Sequence, residues 1–320
     1  MVPNSNPDPL TPTLCLHVPH PLCTRCSDLE ELDVRSLVGP TQFSEVSEWL
    51  LRDRTRPHFK TLRMLADGPK EFADFYICKT LAQPGVVPNL EAVDLQCMNL
   101  SRGPLAHLAK GLSQGYFPHL VELTLHNTHL EAADMVTLMD ALSCPGVGTQ
   151  LDWLDLGRNQ IGRKGLRAVL QAIAAGAGPK LQAVYLTDAE AGGWHREEVQ
   201  ALVDLLTQAP CASRLETLDV RTSLPFRGGF DDDNEDDEEE EEEEEESRGA
   251  GESKGGPGKS ASELDQVPWM RVVTALAAGC CPKLRKLGLP RVGSSGLRQR
   301  MMEEGLPGRK GLKLLDDFGL

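Results

Sequence analysis

An α/β solenoid of about eight strand-and-helix units is the fold predicted for this 320-residue sequence, and three observations predict it. The first is an apolar phrase that returns along the chain: Leu29-x-x-Leu32-x-Val34, Phe59-x-x-Leu62-x-Met64, Leu90-x-x-Val93-x-Leu95, Leu120-x-x-Leu123-x-Leu125, Leu151-x-x-Leu154-x-Leu156, Leu181-x-x-Val184-x-Leu186, Leu215-x-x-Leu218-x-Val220 and Leu284-x-x-Leu287-x-Leu289. Its copies begin 30, 31, 30, 31, 30, 34 and 69 positions apart, and a near-constant period of this kind marks a stack of repeats. The second is a run of apolar residues at helical spacing between copies. The third is a composition of 40% hydrophobic but only 5% aromatic residues, which suits a core layered from Leu, Val and Ala.

Residues 151–180 illustrate how one unit folds. Leu151, Leu154 and Leu156 point inward from a short strand, and Asn159 and Ile161 close the turn beneath it, the Asn amide being suited to satisfying buried backbone groups. Gly162 and Gly165 let the chain reverse. Leu166, Val169, Leu170 and Ile173 then form one helical stripe, and Gly176, Gly178 and Pro179 end it. Other units follow suit, with Leu105, Leu108 and Leu112 in the third, Met135, Leu138, Met139 and Leu142 in the fourth, and Val199, Leu202, Val203 and Leu206 in the sixth. One strand and one helix cannot bury both apolar faces alone, so neighbours must cover them. Parallel strands repeat every ~4.8 Å, whereas packed helices need roughly 8–10 Å. The mismatch bends the stack, with strands inside and helices outside.

The phrase LxxLxLxxNxIGxxGLxAVLxAI at 151–173 resembles the ribonuclease-inhibitor-like subclass of leucine-rich repeats. The resemblance covers about 29–311 and implies a horseshoe with a concave parallel sheet and convex helices. It implies little about activity, because that subclass serves inhibitors, innate immune receptors, tropomodulin-like actin-binding proteins and the Ran GTPase-activating protein.

Between Val220 and Leu284 the period is broken. Residues 231–246 carry 15 acids and no bases, including Asp231, Asp232, Asp233 and an unbroken run from Glu238 to Glu246. The formal charge of -15 therefore belongs to this segment, and the rest of the chain holds 33 acidic and 33 basic residues. Like charges without an apolar face, followed by a Gly/Ser/Lys stretch, predict disorder over 227–262. With that loop excluded, Val267, Trp269, Val272, Val273 and Leu276 supply the missing helix of the seventh unit and the solenoid resumes. The expected organisation is a disordered arm over 1–25, repeats over 26–226, the insertion at 227–262, the end of repeat seven and a degenerate eighth over 263–311, and a tail over 312–320.

Alternation along each strand places the residues between the anchors on the hollow face. One column reads Asp33, Arg63, Asp94, Thr124, Asp155, Tyr185, Asp219 and Gly288, and the next reads Glu31, Thr61, Ala92, Glu122, Trp153, Ala183, Thr217 and Lys286. Trp153 and Tyr185 fall on adjacent strands, where an aromatic pair either serves as an open interface anchor or packs on itself or on neighbouring loops. Asp94, His126, Trp153, Asp155, Tyr185 and Asp219 are the residues expected to touch a protein partner. The acidic loop is expected to attract basic partners, chiefly through the association rate, the alternative being a solubilising expansion without a partner.

Several chemistries are set aside. Cys15-x-His17-x-x-His20-x-x-Cys23-x-x-Cys26 lacks the two separated ligand pairs of a zinc site. Gly258-Lys259-Ser260 lacks the earlier glycine of a phosphate loop. No catalytic constellation and no cofactor is expected. The acidic tract disfavours direct contact with nucleic acid, no apolar run is long enough to cross a bilayer, and nine cysteines without a secretory signal point to a reducing compartment, cytoplasmic or nuclear. The expected function is an intracellular, monomeric scaffold that binds a protein partner on the concave face. The alternative implied by the resemblance is a GTPase activator for a Ran-like small GTPase, for which Asn127 and Asn159 lie at strand-to-turn edges.

Overall fold

Every copy of the apolar phrase becomes a strand of one parallel sheet. The computed structural model describes residues 13–15, 29–37, 40–52, 57–66, 73–188, 194–221, 261–290 and 312–315. Ten strands lie in chain order across it: β1 (Thr13–Cys15), β2 (Glu31–Leu37), β3 (Thr61–Ala66), β4 (Ala92–Asp94), β5 (Glu122–Thr124), β6 (Trp153–Asp155), β7 (Ala183–Tyr185), β8 (Thr217–Asp219), β9 (Lys286–Gly288) and β10 (Lys313–Leu315). Helices α1 (Pro40–Arg52), α2 (Ala73–Leu81), α3 (Pro104–Ser113), α4 (Ala132–Leu142), α5 (Gly162–Ala175), α6 (Arg196–Gln208) and α7 (Ala261–Ala277) separate β2 to β9, and each packs on the next. Among the described residues no helix is long and apolar enough to cross a membrane.

Register explains why the period is so regular. Leu32, Leu62, Val93, Leu123, Leu154, Val184, Leu218 and Leu287 are lateral partners on successive strands, all at most 1% exposed. A shift of one residue would turn this spine out to water, so its burial fixes the alignment. The helical stripes predicted in the third to sixth units join the same core. Helix ends follow local chemistry: Pro104 opens α3, Glu131 N–H donates to Asp134 Oδ2 at 3.0 Å at the start of α4, and His195 N–H donates to Glu198 Oε2 at 2.9 Å at the start of α6. Gly176 closes α5 with a left-handed φ of 116°, and Ala177 N–H reaches Ala172 O at 2.9 Å.

The turns after the strands stack as well. Cys97, Asn127, Arg158 and Asp188, 30 or 31 residues apart, all have φ between 51° and 58°. Their N–H groups donate to His126, Gly157, Thr187 and Arg221 carbonyls of the next unit at 2.6–3.1 Å. Left-handed backbone is unfavourable for side-chain-bearing residues, least so for Asn and Asp. The ladder that runs from turn to turn offsets the cost.

Asn159 is the polar centre of this layer. It is fully buried, its Nδ2 donates to the carbonyls of Leu125, Leu156 and Gly157 at 2.8, 2.9 and 3.3 Å, and its Oδ1 accepts from Thr128 N–H and Leu130 N–H at 2.9 and 3.1 Å.

Two strands exceed the eight predicted. β1 falls inside the segment expected to be a disordered arm, and β10 inside the expected tail; each pairs in parallel with its neighbour. Aligned on their partners, the outer anchors of β1 are Thr11 and Leu16 and those of β10 are Gly311 and Asp316, so the phrase is lost at both ends. Terminal repeats face water on one side and tolerate such loss. The insertion expected at 227–262 lies outside the described residues except for Ala261 and Ser262, which open α7. β8 and β9 pair directly and α6 packs on α7, so the solenoid is continuous across the interruption. The bridge is aromatic, with the rings of Trp194 and Trp269 5.5 Å apart and both at most 1% exposed.

Candidate functional site

With one face of the sheet buried under helices, the first and third residues of each strand project from the other. In β4 and β6 only the middle residue is buried. Glu122 and Trp153 are register partners, as are Asp94 and Thr124, Thr124 and Asp155, Asp155 and Tyr185, and Tyr185 and Asp219. The two predicted columns therefore exist as read.

Trp153 and Tyr185 meet with centroids 4.8 Å apart and planes tilted by 39°. Neither is fully buried, whereas Trp49, Trp194 and Trp269 are at most 3% exposed. Burial, and the negative charges of Asp155 and Asp219, raise the Tyr185 pKa above its ordinary value, against a hydrogen bond with Thr217. Beside the rings lie the small side chains of Thr124, Ala183 and Thr217, all buried. The pair therefore stands above its surroundings.

The aspartates share a local role. Asp94 Oδ1 accepts from Gln96 N–H at 3.2 Å, Asp155 Oδ1 from Gly157 N–H at 2.9 Å, and Asp219 Oδ1 from Arg221 N–H at 3.3 Å. Each thus caps its own strand end two residues on. What remains after capping differs. Asp219 is 2% exposed and both its oxygens are held by the Arg221 guanidinium at 2.9 and 2.7 Å. A Cβ at Gly288, its lateral partner on β9, would strike that carboxylate. Asp219, expected at the interface, is therefore a buried half of an ion pair and is not displayed.

Asp94 spends its second oxygen on Gln96 Nε2 at 2.9 Å. Asp155 uses Oδ1 for both its contacts, the second being His126 Nδ1 at 3.4 Å. His126 is thereby drawn to the edge of the site beside Gly157, where any side chain would collide with Thr187 and His126. Toward the N-terminal end, Arg63 pairs with Glu31 across β2 and β3, and Asp33, Arg63, Asp94 and Gln96 line a small open recess with Met64 and Leu65.

Glu122 stands one column away from the aspartates, and nothing in the sequence alone singles it out. It is half-buried, and its carboxylate has no hydrogen bond or ion pair among the described residues, unlike those of the three capping aspartates. Burial raises its pKa above the ordinary 4.5, and repulsion from Asp94 and Asp152 adds to this, with Arg63 acting in the opposite sense. Asp94 is raised for the same first reason. A carboxyl raised in the folded state is charged at a cost above its folded pKa, and acid relieves that cost. Glu122→Gln is accordingly expected to raise the melting temperature at pH 7, with the gain shrinking as pH falls and gone below about 4.5, where Glu122 is neutral in both states. A gain independent of pH in thermal melts from pH 4 to 8 would contradict this.

Asn159 and Asn127, the edge asparagines, are already committed: Asn159 inside the turn, and Asn127 with its Nδ2 3.4 Å from Cys97 Sγ. The predicted acidic residues Asp231, Asp232, Asp233, Glu238 and Glu246, and the Cys15-to-Cys26 cluster apart from the backbone of Cys15, lie outside the described residues. Among the described residues no group of three or more His, Cys, Asp or Glu could hold a metal. Cys211 is buried, and its thiol is pushed up to about 11 by desolvation. No family model matches the chain, and no curated protein matches it.

Proposed function

We propose that the chain is a ribonuclease-inhibitor-like leucine-rich-repeat horseshoe whose open sheet face is concave and binds a protein partner, with the acidic segment at 231–246 attracting partners of basic character. The observation that carries this reading is the Trp153–Tyr185 pair, two adjacent rings left partly open to water on an otherwise polar sheet face. Aromatic side chains of this kind concentrate binding energy at interfaces, because they bury a large area at low conformational cost. A face formed by many short parallel strands offers the extended surface that solenoids use for proteins. The acidic segment adds a long-range field, which acts on the association rate and is screened by salt.

The test is affinity capture with the intact chain, with Trp153→Ala/Tyr185→Ala, and with 231–246 deleted. The aromatic double variant is expected to lose its partner at least tenfold, the loss of a hot-spot pair. The deletion is expected to slow association and flatten its salt dependence while leaving dissociation unchanged. Identical partners and affinities for all three proteins would refute the reading.

A further inference from the structure

The partner's chemistry can be drawn from what surrounds the aromatic pair, and this inference rests on the open-face reading above. Trp153 has Glu122 as its lateral partner on β5 and Asp155 two residues along its own strand, and Asp155 in turn is the lateral partner of Tyr185. Neighbouring strands stand about 4.8 Å apart. Two rings and two carboxylates therefore lie within three adjacent strands, about 10 Å across. The Glu122 carboxylate has no hydrogen bond or ion pair among the described residues and feels Arg63 only through its charge, and the contacts of Asp155 fall on one oxygen only. The nearby cation on the same face, Arg63 of β3, is engaged by Glu31. Asp94 on β4 adds a third negative charge.

An apolar or anionic occupant would bury Glu122 unpaired or repel it, and both are costly. A cation satisfies it. Between the two biological cations, the geometry favours the planar one: a guanidinium can lie over an indole and a phenol while directing paired N–H donors at a carboxylate, whereas an ammonium is a compact point charge that stays strongly hydrated. We propose that this patch receives an arginine side chain from a basic segment of the partner, stacked on Trp153 and Tyr185 and hydrogen-bonded by Glu122 and Asp155.

The four tryptophans make the test direct, since Trp153 alone is partly exposed while Trp49, Trp194 and Trp269 are buried. The full chain is titrated with hexa-arginine, hexalysine and hexaglutamate peptides at low salt, following intrinsic fluorescence together with calorimetry. Hexa-arginine is expected to change the emission saturably, with no change for Trp153→Phe. Glu122→Gln and, separately, Asp155→Asn are each expected to weaken the emission-detected affinity by about tenfold, the cost of one charge-assisted hydrogen bond. Glu122→Gln should do so while gaining stability, a pairing that a merely structural role for Glu122 would not produce. Heat of binding without any Trp153 response places the peptide on the acidic segment and overturns the proposal, as does an unchanged affinity in both carboxylate variants. An equal response to hexalysine overturns the choice of arginine. If hexa-arginine fails while Trp153→Ala/Tyr185→Ala still loses its captured partner, the docking face stands and the arginine assignment alone falls.

Discussion

Asn159→Ala is expected to lower the unfolding free energy by about 3–5 kcal/mol, one of the largest effects available to a single substitution in this chain. The reason is the number of backbone groups that depend on one amide. The Leu156 carbonyl loses its donor and the N–H groups of Thr128 and Leu130 lose their acceptor, while the Leu125 and Gly157 carbonyls lose one donor each but keep Thr128 Oγ1 and Asn127 N–H. Each buried group left unsatisfied costs about 1–3 kcal/mol, and water admitted to the space left by the amide would recover part of the sum. Asn159→Asp separates the two halves of the role. It keeps the acceptor for Thr128 and Leu130 but turns a carboxylate toward three carbonyl oxygens, so it is expected to be at least as damaging as alanine at neutral pH and milder in acid. Urea titration followed by circular dichroism measures both. Because Asn159 ties the fourth unit to the fifth, a reduced urea slope would show that the stack has come apart into two cooperative blocks. A loss below about 1 kcal/mol for Asn159→Ala would mean that the turns hold themselves together without it.

The fold was legible because burial acts on a fixed period. Each central strand residue, from Leu32 to Leu287, is apolar and buried, and no other register would leave all eight inside. What escaped were β1 and β10, where Thr11, Gly311 and Asp316 replace the outer anchors. The sheet edge there is held by backbone hydrogen bonds, which are blind to side-chain identity, so a pattern of leucines cannot report it. The site was half legible for a related reason. Alternation told which residues face outward, and Trp153, Tyr185, Asp155 and Asp94 are where it put them. It could not tell which outward-facing carboxylates are spoken for. Asp219 is consumed by Arg221, two residues away and visible in the sequence as Asp-x-Arg, whereas the Glu122 carboxylate is left without a hydrogen bond or ion pair among the described residues, its lateral neighbours being a tryptophan and an alanine. The first of these was within reach of sequence reasoning; the second required the lateral register.

Trp269→Ala is expected to cost about 3–5 kcal/mol as well, the usual penalty for emptying a large aromatic site in a core. Its importance lies in what it holds. Strand β8 ends at Asp219 and α7 begins at Ala261, so α7 is joined to its own strand only through a long connection, and its position depends on packing against α6 and the residues just before α6. Trp194 and Trp269 supply that packing across the gap. The connection itself contributes little: removing 231–246 shortens the closed loop, and because closure entropy grows only as (3/2)RT ln n, stability should change by about 0.5 kcal/mol. The contrast between a small effect for the acidic residues and a large one for a single ring would locate the determinant of continuity in side-chain packing. The indole nitrogens of both tryptophans are buried without a hydrogen-bond partner among the described residues, so Trp269→Phe removes an unsatisfied donor along with part of the ring. It should therefore cost clearly less than Trp269→Ala. A double-mutant cycle with Trp194→Ala should show coupling of about 0.5–1.5 kcal/mol, the range for aromatic pairs. Additivity would mean that each ring packs against the core independently, and that α7 is placed by α6 and not by its partner indole.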